Sequence, residues 1–97
     1  MAQYPLVPRP GGSNSSLNIT AATVVKATPG TLWTVNVTTA GSTVGSASDV
    51  ATVGGVAAAN LIAEIPNTVG TYVLTWPCKV GIVITPGTGQ VISVAYA

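Results

Sequence analysis

The sequence predicts an all-β fold, a small antiparallel β-sandwich or barrel of the jelly-roll kind, preceded by an extended N-terminal arm. Three observations lead to this prediction. Short runs of β-branched residues recur along the chain, and they are separated by 11 glycines and 7 prolines. The best-defined run alternates apolar and polar residues with a period of two, which is typical of a half-buried strand. No run has the length or the period of a long amphipathic helix.

The arm covers residues 1–16, and residues 17–97 are expected to form a single β domain, since 97 residues are too few for two domains. Three prolines within the first ten residues disfavour both helix and central strand. The arm is either a frayed terminus or a segment that docks on a neighbouring subunit. Its candidate interaction residues are Tyr4, Leu6, Val7 and Arg9.

The domain is expected to contain about six strands. The segment 56–65 is ambiguous, because Ala, Leu and Glu favour helix, and we expect a short helical turn or an irregular connection there. The last two strands flank a Gly-containing loop at 86–89 and are predicted to form a hairpin. The expected strands are 17–27, 31–39, 43–53, 71–76, 80–85 and 90–96.

Two tryptophans mark the expected core faces of these strands. Trp33 shares a predicted face with Val35 and Val37, and Trp76 shares one with Tyr72. Both indoles are therefore expected to pack in the core, although an exposed pair could instead form a platform for a sugar or an apolar ligand. Cys78, the single cysteine, is expected to be a small buried side chain beside Trp76.

Residues for catalysis or metal binding are scarce. The sequence contains no His, which removes the commonest general base and metal ligand. Its only carboxylates are Asp49, expected in a turn or at the surface, and Glu64, expected in a solvated position. A paired-carboxylate glycoside hydrolase is the one enzymatic alternative that this count permits. We expect a protein that is not an enzyme and that uses no metal or cofactor.

Charge is also scarce, at 5% of residues with a net charge of +1, whereas about 25% is usual for a globular domain. So few charges protect poorly against self-association, which indicates that much of the surface is covered by copies of the chain or by a larger assembly. A neutral surface rich in Thr, Ser and Asn is the alternative. No basic stripe suggests a nucleic acid partner, and the short apolar runs do not suggest a membrane partner.

Three segments carry a resemblance to a known class of proteins: IPNTVG at 65–70, WPC at 76–78 and PGTGQ at 86–90. In order and character, they resemble small proteins encoded among the virion genes of tailed bacteriophages, over roughly residues 20–97. Small all-β phage proteins with proline-bearing arms commonly serve as capsid decoration or cement proteins. The resemblance implies a homo-oligomer, a dimer or trimer, whose partner is the major capsid protein or another virion protein.

The combined expectation is a non-enzymatic virion structural protein on the outer capsid surface. Synthesis in the host cytoplasm is expected, since the first residues show no signal-peptide pattern. One alternative is a tail, fibre or head-fibre module that contacts other virion proteins or the host surface. Another is a β-module for adhesion or carbohydrate binding outside any virus, which an exposed tryptophan in a groove would favour.

Overall fold

A computed structural model describes residues 14–97, which form two four-stranded antiparallel sheets. Sheet I has the strand order β1-β8-β3-β6, and sheet II has the order β2-β7-β4-β5. The strands are β1 (Asn14–Ile19), β2 (Thr23–Lys26), β3 (Gly30–Thr39), β4 (Gly45–Ser48), β5 (Leu61–Ile65), β6 (Gly70–Cys78), β7 (Ile82–Thr85) and β8 (Val91–Tyr96).

The topology is that of an eight-stranded jelly roll. Every connection between consecutive strands crosses from one sheet to the other, except β4–β5, which joins neighbours in sheet II. The prediction of an all-β antiparallel sandwich of the jelly-roll kind is therefore confirmed. The two sheets are not joined into a closed barrel.

The core lies between the two sheets and is built from aliphatic side chains. Removing this apolar surface from water stabilises the fold by about 25 cal/mol per Å² buried. Gln90 is a buried polar residue beside it, and its amide joins two loops by accepting from the N–H of Gly87 and donating to the carbonyl of Pro66. The core residues are Ile19, Leu32, Val35, Val37, Ala47, Ile65, Cys78, Ile82, Ile84, Ile92 and Val94.

The expected core position of Trp33 is wrong, because a β-bulge interrupts the alternation of β3. The register of β3 shifts between Leu32 and Thr34 against both neighbouring strands. Leu32 is therefore fully buried, together with Val35, whereas Trp33 is only partly buried. Within residues 14–97, the indole N–H of Trp33 is buried without a hydrogen-bond partner.

The expected core position of Trp76 is also wrong, since 47% of this residue is exposed. Thr75, just before it, has a φ of 48°, in the left-handed region that non-glycine residues rarely occupy. The pairing register of β6 with β3 shifts close to this residue, between Val73 and Trp76. Trp76 lies near the end of β6, which is an edge strand of sheet I among the residues described.

The predicted hairpin around 86–89 is wrong, because β7 belongs to sheet II and β8 to sheet I. The expected strand 17–27 is likewise two strands, β1 and β2, in different sheets. Asn18 has a φ of 54° close to the point where the chain leaves sheet I. The expected strand 43–53 is shorter than predicted and is limited to β4.

The ambiguous segment 56–65 divides into two parts. A 3₁₀ turn at Ala58–Asn60 confirms the short helical turn that was expected. The prediction is wrong for the second part, which forms β5 and pairs with β4. At the start of the described chain, residues 14–16 were predicted as the end of the arm, but they pair with β8 as part of β1.

Candidate functional site

Sheet I is free of charged residues. None of its four strands contains Asp, Glu, Lys or Arg. The charged residues within 14–97 lie elsewhere, with Lys26 on β2, Glu64 on β5, and Asp49 and Lys79 in connections between strands. The shortage of charge seen in the sequence is thus concentrated in one of the two sheets.

The outer face of sheet I carries two rows of small, uncharged side chains. Strand pairing aligns Thr34 with Val73 on one side and with Ala95 on the other, and it aligns Asn36 with Thr71 and Ser93 in the same way. We call this surface the neutral face. It consists of Ser15, Leu17, Thr34, Asn36, Thr71, Val73, Ser93 and Ala95.

The neutral face has two projecting apolar side chains and a shallow hollow. Its two largest apolar residues, Leu17 and Val73, are 70% and 71% exposed and lie on the opposite edge strands β1 and β6. Between them is a shallow hollow of about 200 Å³, whose lining includes Ser93 and Ala95 of β8 and Thr34 of β3. The hydroxyl of Thr71 donates to the side-chain oxygen of Asn36 at 2.9 Å, so part of the polar surface is already hydrogen-bonded.

The outer face of sheet II differs because the chain covers part of it. Ser48 and Val83 are paired there, one residue along from the core pair Ala47 and Ile84, so their side chains point away from the core. Both residues are nevertheless fully buried. Part of the segment between β4 and β5, which has 3₁₀ turns at Val53–Gly55 and Ala58–Asn60, lies beside Ser48 and lines the same groove. Among the strands and loops described, none covers the neutral face in this way.

A groove of about 490 Å³ runs beside that covering segment on sheet II. Its lining includes Ser46, Ser48, Leu61 and Glu64, and the hydroxyl oxygen of Ser48 is buried without a hydrogen-bond partner in the described chain. Asp49, the other carboxylate, is not part of the lining. The structure therefore does not bring the two carboxylates together in this groove as a glycoside hydrolase would require.

Asp49 directly follows β4, and its carboxylate accepts three backbone hydrogen bonds. The N–H groups of Lys79, Val80 and Gly81 donate to it at 2.9, 2.8 and 3.2 Å. Burial alone would raise the pKa of this carboxyl, but the three hydrogen bonds, aided by the positive charge of Lys79, lower it below its usual 3.8. This carboxylate binds the backbone of the loop at residues 79–81. The sequence analysis predicted a turn or surface position for Asp49 and did not predict these contacts.

Cys78 is buried, as the sequence predicted, and only 4% of it is exposed. Its thiol donates a weak hydrogen bond to the carbonyl of Trp76 at 3.7 Å. Burial, together with the nearby negative charge of Asp49, raises the pKa of the thiol to about 11. A thiol with so high a pKa carries little thiolate near neutral pH, so Cys78 is unsuited to nucleophilic chemistry.

Glu64 is exposed on β5, which confirms its expected solvated position. In the part of the chain that the structure describes, no group of three or more His, Cys, Asp or Glu side chains could hold a metal ion. No helix within 14–97 is long and apolar enough to cross a membrane. The arm residues Tyr4, Leu6, Val7 and Arg9 lie outside the described residues.

Comparison with known proteins adds no relative: no family model, no curated protein and no solved structure matches this chain. The functional inference therefore depends on the fold and on its surfaces. The neutral face is the strongest candidate site, because it combines exposure, apolar residues and absence of charge on one sheet.

Proposed function

We propose that this chain is a non-enzymatic structural protein of a bacteriophage virion, a decoration or cement protein that binds the outer capsid surface as an oligomer and stabilises the contacts between capsomers. The observation that carries the proposal is the neutral face. An exposed sheet with no charge on any of its four strands is suited to being covered in an assembly.

The fold is compatible with this role but does not select it. Eight-stranded jelly rolls occur in viral capsid proteins, lectins and cupins, and one fold supports many functions. The choice between these functions depends on the surface. The described chain has its aspartate carboxylate hydrogen-bonded to a loop and its thiol buried, which favours a structural role over a catalytic one.

The arm supplies a second element of the proposal. An extended chain spans about 3.3 Å per residue, so 13 residues ahead of β1 could reach on the order of 40 Å, enough to contact a neighbouring subunit. Tyr4 and Leu6 are the proposed apolar anchors of that contact, with Val7 and Arg9 beside them. Burial of one such side chain contributes about 1.5–3 kcal/mol.

The test uses capsids of the encoding phage that lack this chain, mixed with purified full-length protein or with a variant from which residues 1–12 are deleted. We expect the full-length chain to sediment with the shells and the truncated chain to bind more weakly while its circular dichroism spectrum stays that of a β protein. A double variant, Tyr4→Ala with Leu6→Ala, should weaken binding, whereas the matched control Gln3→Ala should not. Full binding by the truncated chain would refute the role of the arm.

The second candidate function is a tail, fibre or head-fibre module, and the exposure of Trp76 favours it. Exposed aromatic side chains are typical of binding surfaces, because they bury a large area when a partner covers them. A carbohydrate-binding module is favoured by the same residue, but Trp76 does not line the groove on sheet II. Imaging of the intact particle separates the candidates. Density for this chain on the tail alone would refute the capsid role.

A further inference from the structure

We infer that the neutral face is a self-association surface, which pairs with the neutral face of a second copy of this chain around a two-fold axis parallel to β3. This inference deepens the proposed function, because it names the surface through which the proposed oligomer forms. Its test uses the purified protein and is the same whether the particle contact is on the capsid or on the tail. Charge and shape both support a second copy as the partner.

The charge argument follows from two-fold symmetry. In a two-fold interface the same patch is used on both copies, so a charged residue near the axis faces its own like charge. Like charges placed opposite each other are destabilising, and desolvating them adds a further cost. Sheet I carries no charge on any strand, whereas sheet II carries Lys26 and Glu64. Sheet I can therefore face itself without this repulsion.

The shape argument follows from the order of the strands. Val73 projects from β6, and the hollow is centred two strands away, where Ser93 and Ala95 of β8 line it. Neighbouring strands lie about 4.8 Å apart, so the projection and the hollow are about 10 Å apart, on either side of β3. A two-fold axis along β3 carries β6 of each copy over β8 of the other. Each Val73 then enters the hollow of the opposing copy.

The size of the face sets the expected strength of the dimer. A two-fold axis along β3 covers three strands of each copy, β8, β3 and β6, and leaves β1 outside the contact. Three strands about 4.8 Å apart, each contributing about seven residues at 3.3 Å, cover roughly 330 Å². A specific interface typically buries about 800 Å² on each partner. The contact is less than half that size, so we expect a weak, reversible dimer and not a permanent one. Thr34, Asn36 and Ser93 are polar and partly exposed, so water can solvate this face when the chain is monomeric.

Sedimentation equilibrium of the full-length chain tests the inference at concentrations from about 10 µM to about 1 mM, the range in which weak dimers form. We expect a monomer–dimer equilibrium. Val73→Lys and Ala95→Lys should raise the dissociation constant at least about tenfold, because each places a lysine on the face or in its hollow. The matched control is Val53→Lys, which makes the same substitution at an exposed valine in the segment between β4 and β5, away from the neutral face. Urea midpoints check that each variant is folded.

A cross-linking experiment tests the geometry independently of affinity. A chain carrying Val73→Cys mixed with a chain carrying Ala95→Cys should form an intermolecular disulfide under mild oxidation, since the proposed axis brings these positions together. A mixture of Val53→Cys and Ala95→Cys should not. The native Cys78 is present in every chain and is buried, so any cross-linking through it would be the same in both mixtures.

The outcomes separate this inference from the proposed function. A chain that stays monomeric at every concentration overturns the inference, and so does a dimer that Val73→Lys leaves intact. If a monomeric chain binds capsids and Val73→Lys abolishes that binding, the face contacts the shell. The inference then fails, and the proposed capsid binding stands without its oligomer. If the dimer forms as described but the chain binds no capsid, the proposed function fails and the inference stands.

Discussion

The carboxylate of Asp49 accepts a hydrogen bond from the backbone N–H of Val80 at 2.8 Å, although the two residues are 31 positions apart in the chain. The same carboxylate also accepts from the N–H groups of Lys79 and Gly81. These contacts join the end of β4 to the connection between β6 and β7, where the chain crosses from sheet I to sheet II. The Asp49 side chain thus fixes the position of a connection between the two sheets.

Removing this side chain should destabilise the fold. Hydrogen bonds to a charged group contribute about 1.5–3 kcal/mol when buried, and because this loop is partly exposed we expect Asp49→Ala to cost about 2 kcal/mol in total. Urea denaturation followed by circular dichroism measures the loss. Glu64→Ala is the matched control, an exposed carboxylate on β5 whose removal should change stability by less than about 0.5 kcal/mol. Equal urea midpoints for the two variants would contradict the role of Asp49.

The stability that Asp49 contributes should depend on pH. Its pKa is lowered in the folded chain below the usual 3.8, so the unfolded chain takes up this proton first as the pH falls. The contribution is fully present above about pH 5 and is lost as the pH falls through 3.8 towards the folded pKa. In Asp49→Asn the residue does not titrate. The difference in unfolding free energy between wild type and this variant should therefore narrow below about pH 5. A difference that stays constant down to pH 2 would argue against this linkage.

Cys78 should resist thiol reagents in the folded protein. Its pKa of about 11 lies two units above the ordinary 9.0, which reduces the thiolate fraction about a hundredfold, and burial blocks access as well. Labelling with a disulfide reagent at pH 8 should be very slow in buffer and rapid in concentrated urea. A Ser15→Cys variant on the neutral face gives the rate of an exposed thiol for comparison. Labelling of native Cys78 at that rate would show that it is accessible.

Gly87 should not tolerate a side chain. A Cβ at this position would overlap with the carbonyl oxygen of Thr43 in the neighbouring loop. Overpacking of this kind costs about 2 kcal/mol, which for a domain of this size lowers Tm by about 10 °C. The matched control is Gly54→Ala, whose added Cβ would meet nothing within 4 Å. Gly54→Ala should leave Tm unchanged or raise it slightly, because alanine restricts the unfolded chain. Equal Tm values for the two variants would contradict the close approach at Gly87.

Much of the local structure could be predicted because it depends on neighbouring residues. The alternation in β3 and the Gly and Pro positions identified the all-β class and the approximate strands. The same local signals failed at Trp33 and Trp76. A bulge changes which side chains face the core, and the bulge in β3 is a feature of its pairing with β6 and β8. The hairpin predicted around 86–89 failed for the same reason, since two runs joined by a short loop can pair or can cross between sheets.

The buried amide of Gln90 and the loop-holding carboxylate of Asp49 had no signal in the sequence. Each is a polar residue near a turn, and such residues are usually exposed. Their partners are distant in sequence: Asp49 binds N–H groups at 79–81, and Gln90 donates to the carbonyl of Pro66. Only the folded chain brings these groups within hydrogen-bonding distance.

The sequence by itself determined the shortage of charge, the absence of His and the all-β class, because composition and short-range alternation suffice for these properties. Only the tertiary structure decided that the uncharged strands lie together in one sheet. The strands of sheet I come from four separate parts of the chain, near its two ends and its middle, and pairing places them side by side. Because strand pairing is a non-local interaction, no local pattern could show that these uncharged strands share one exposed face.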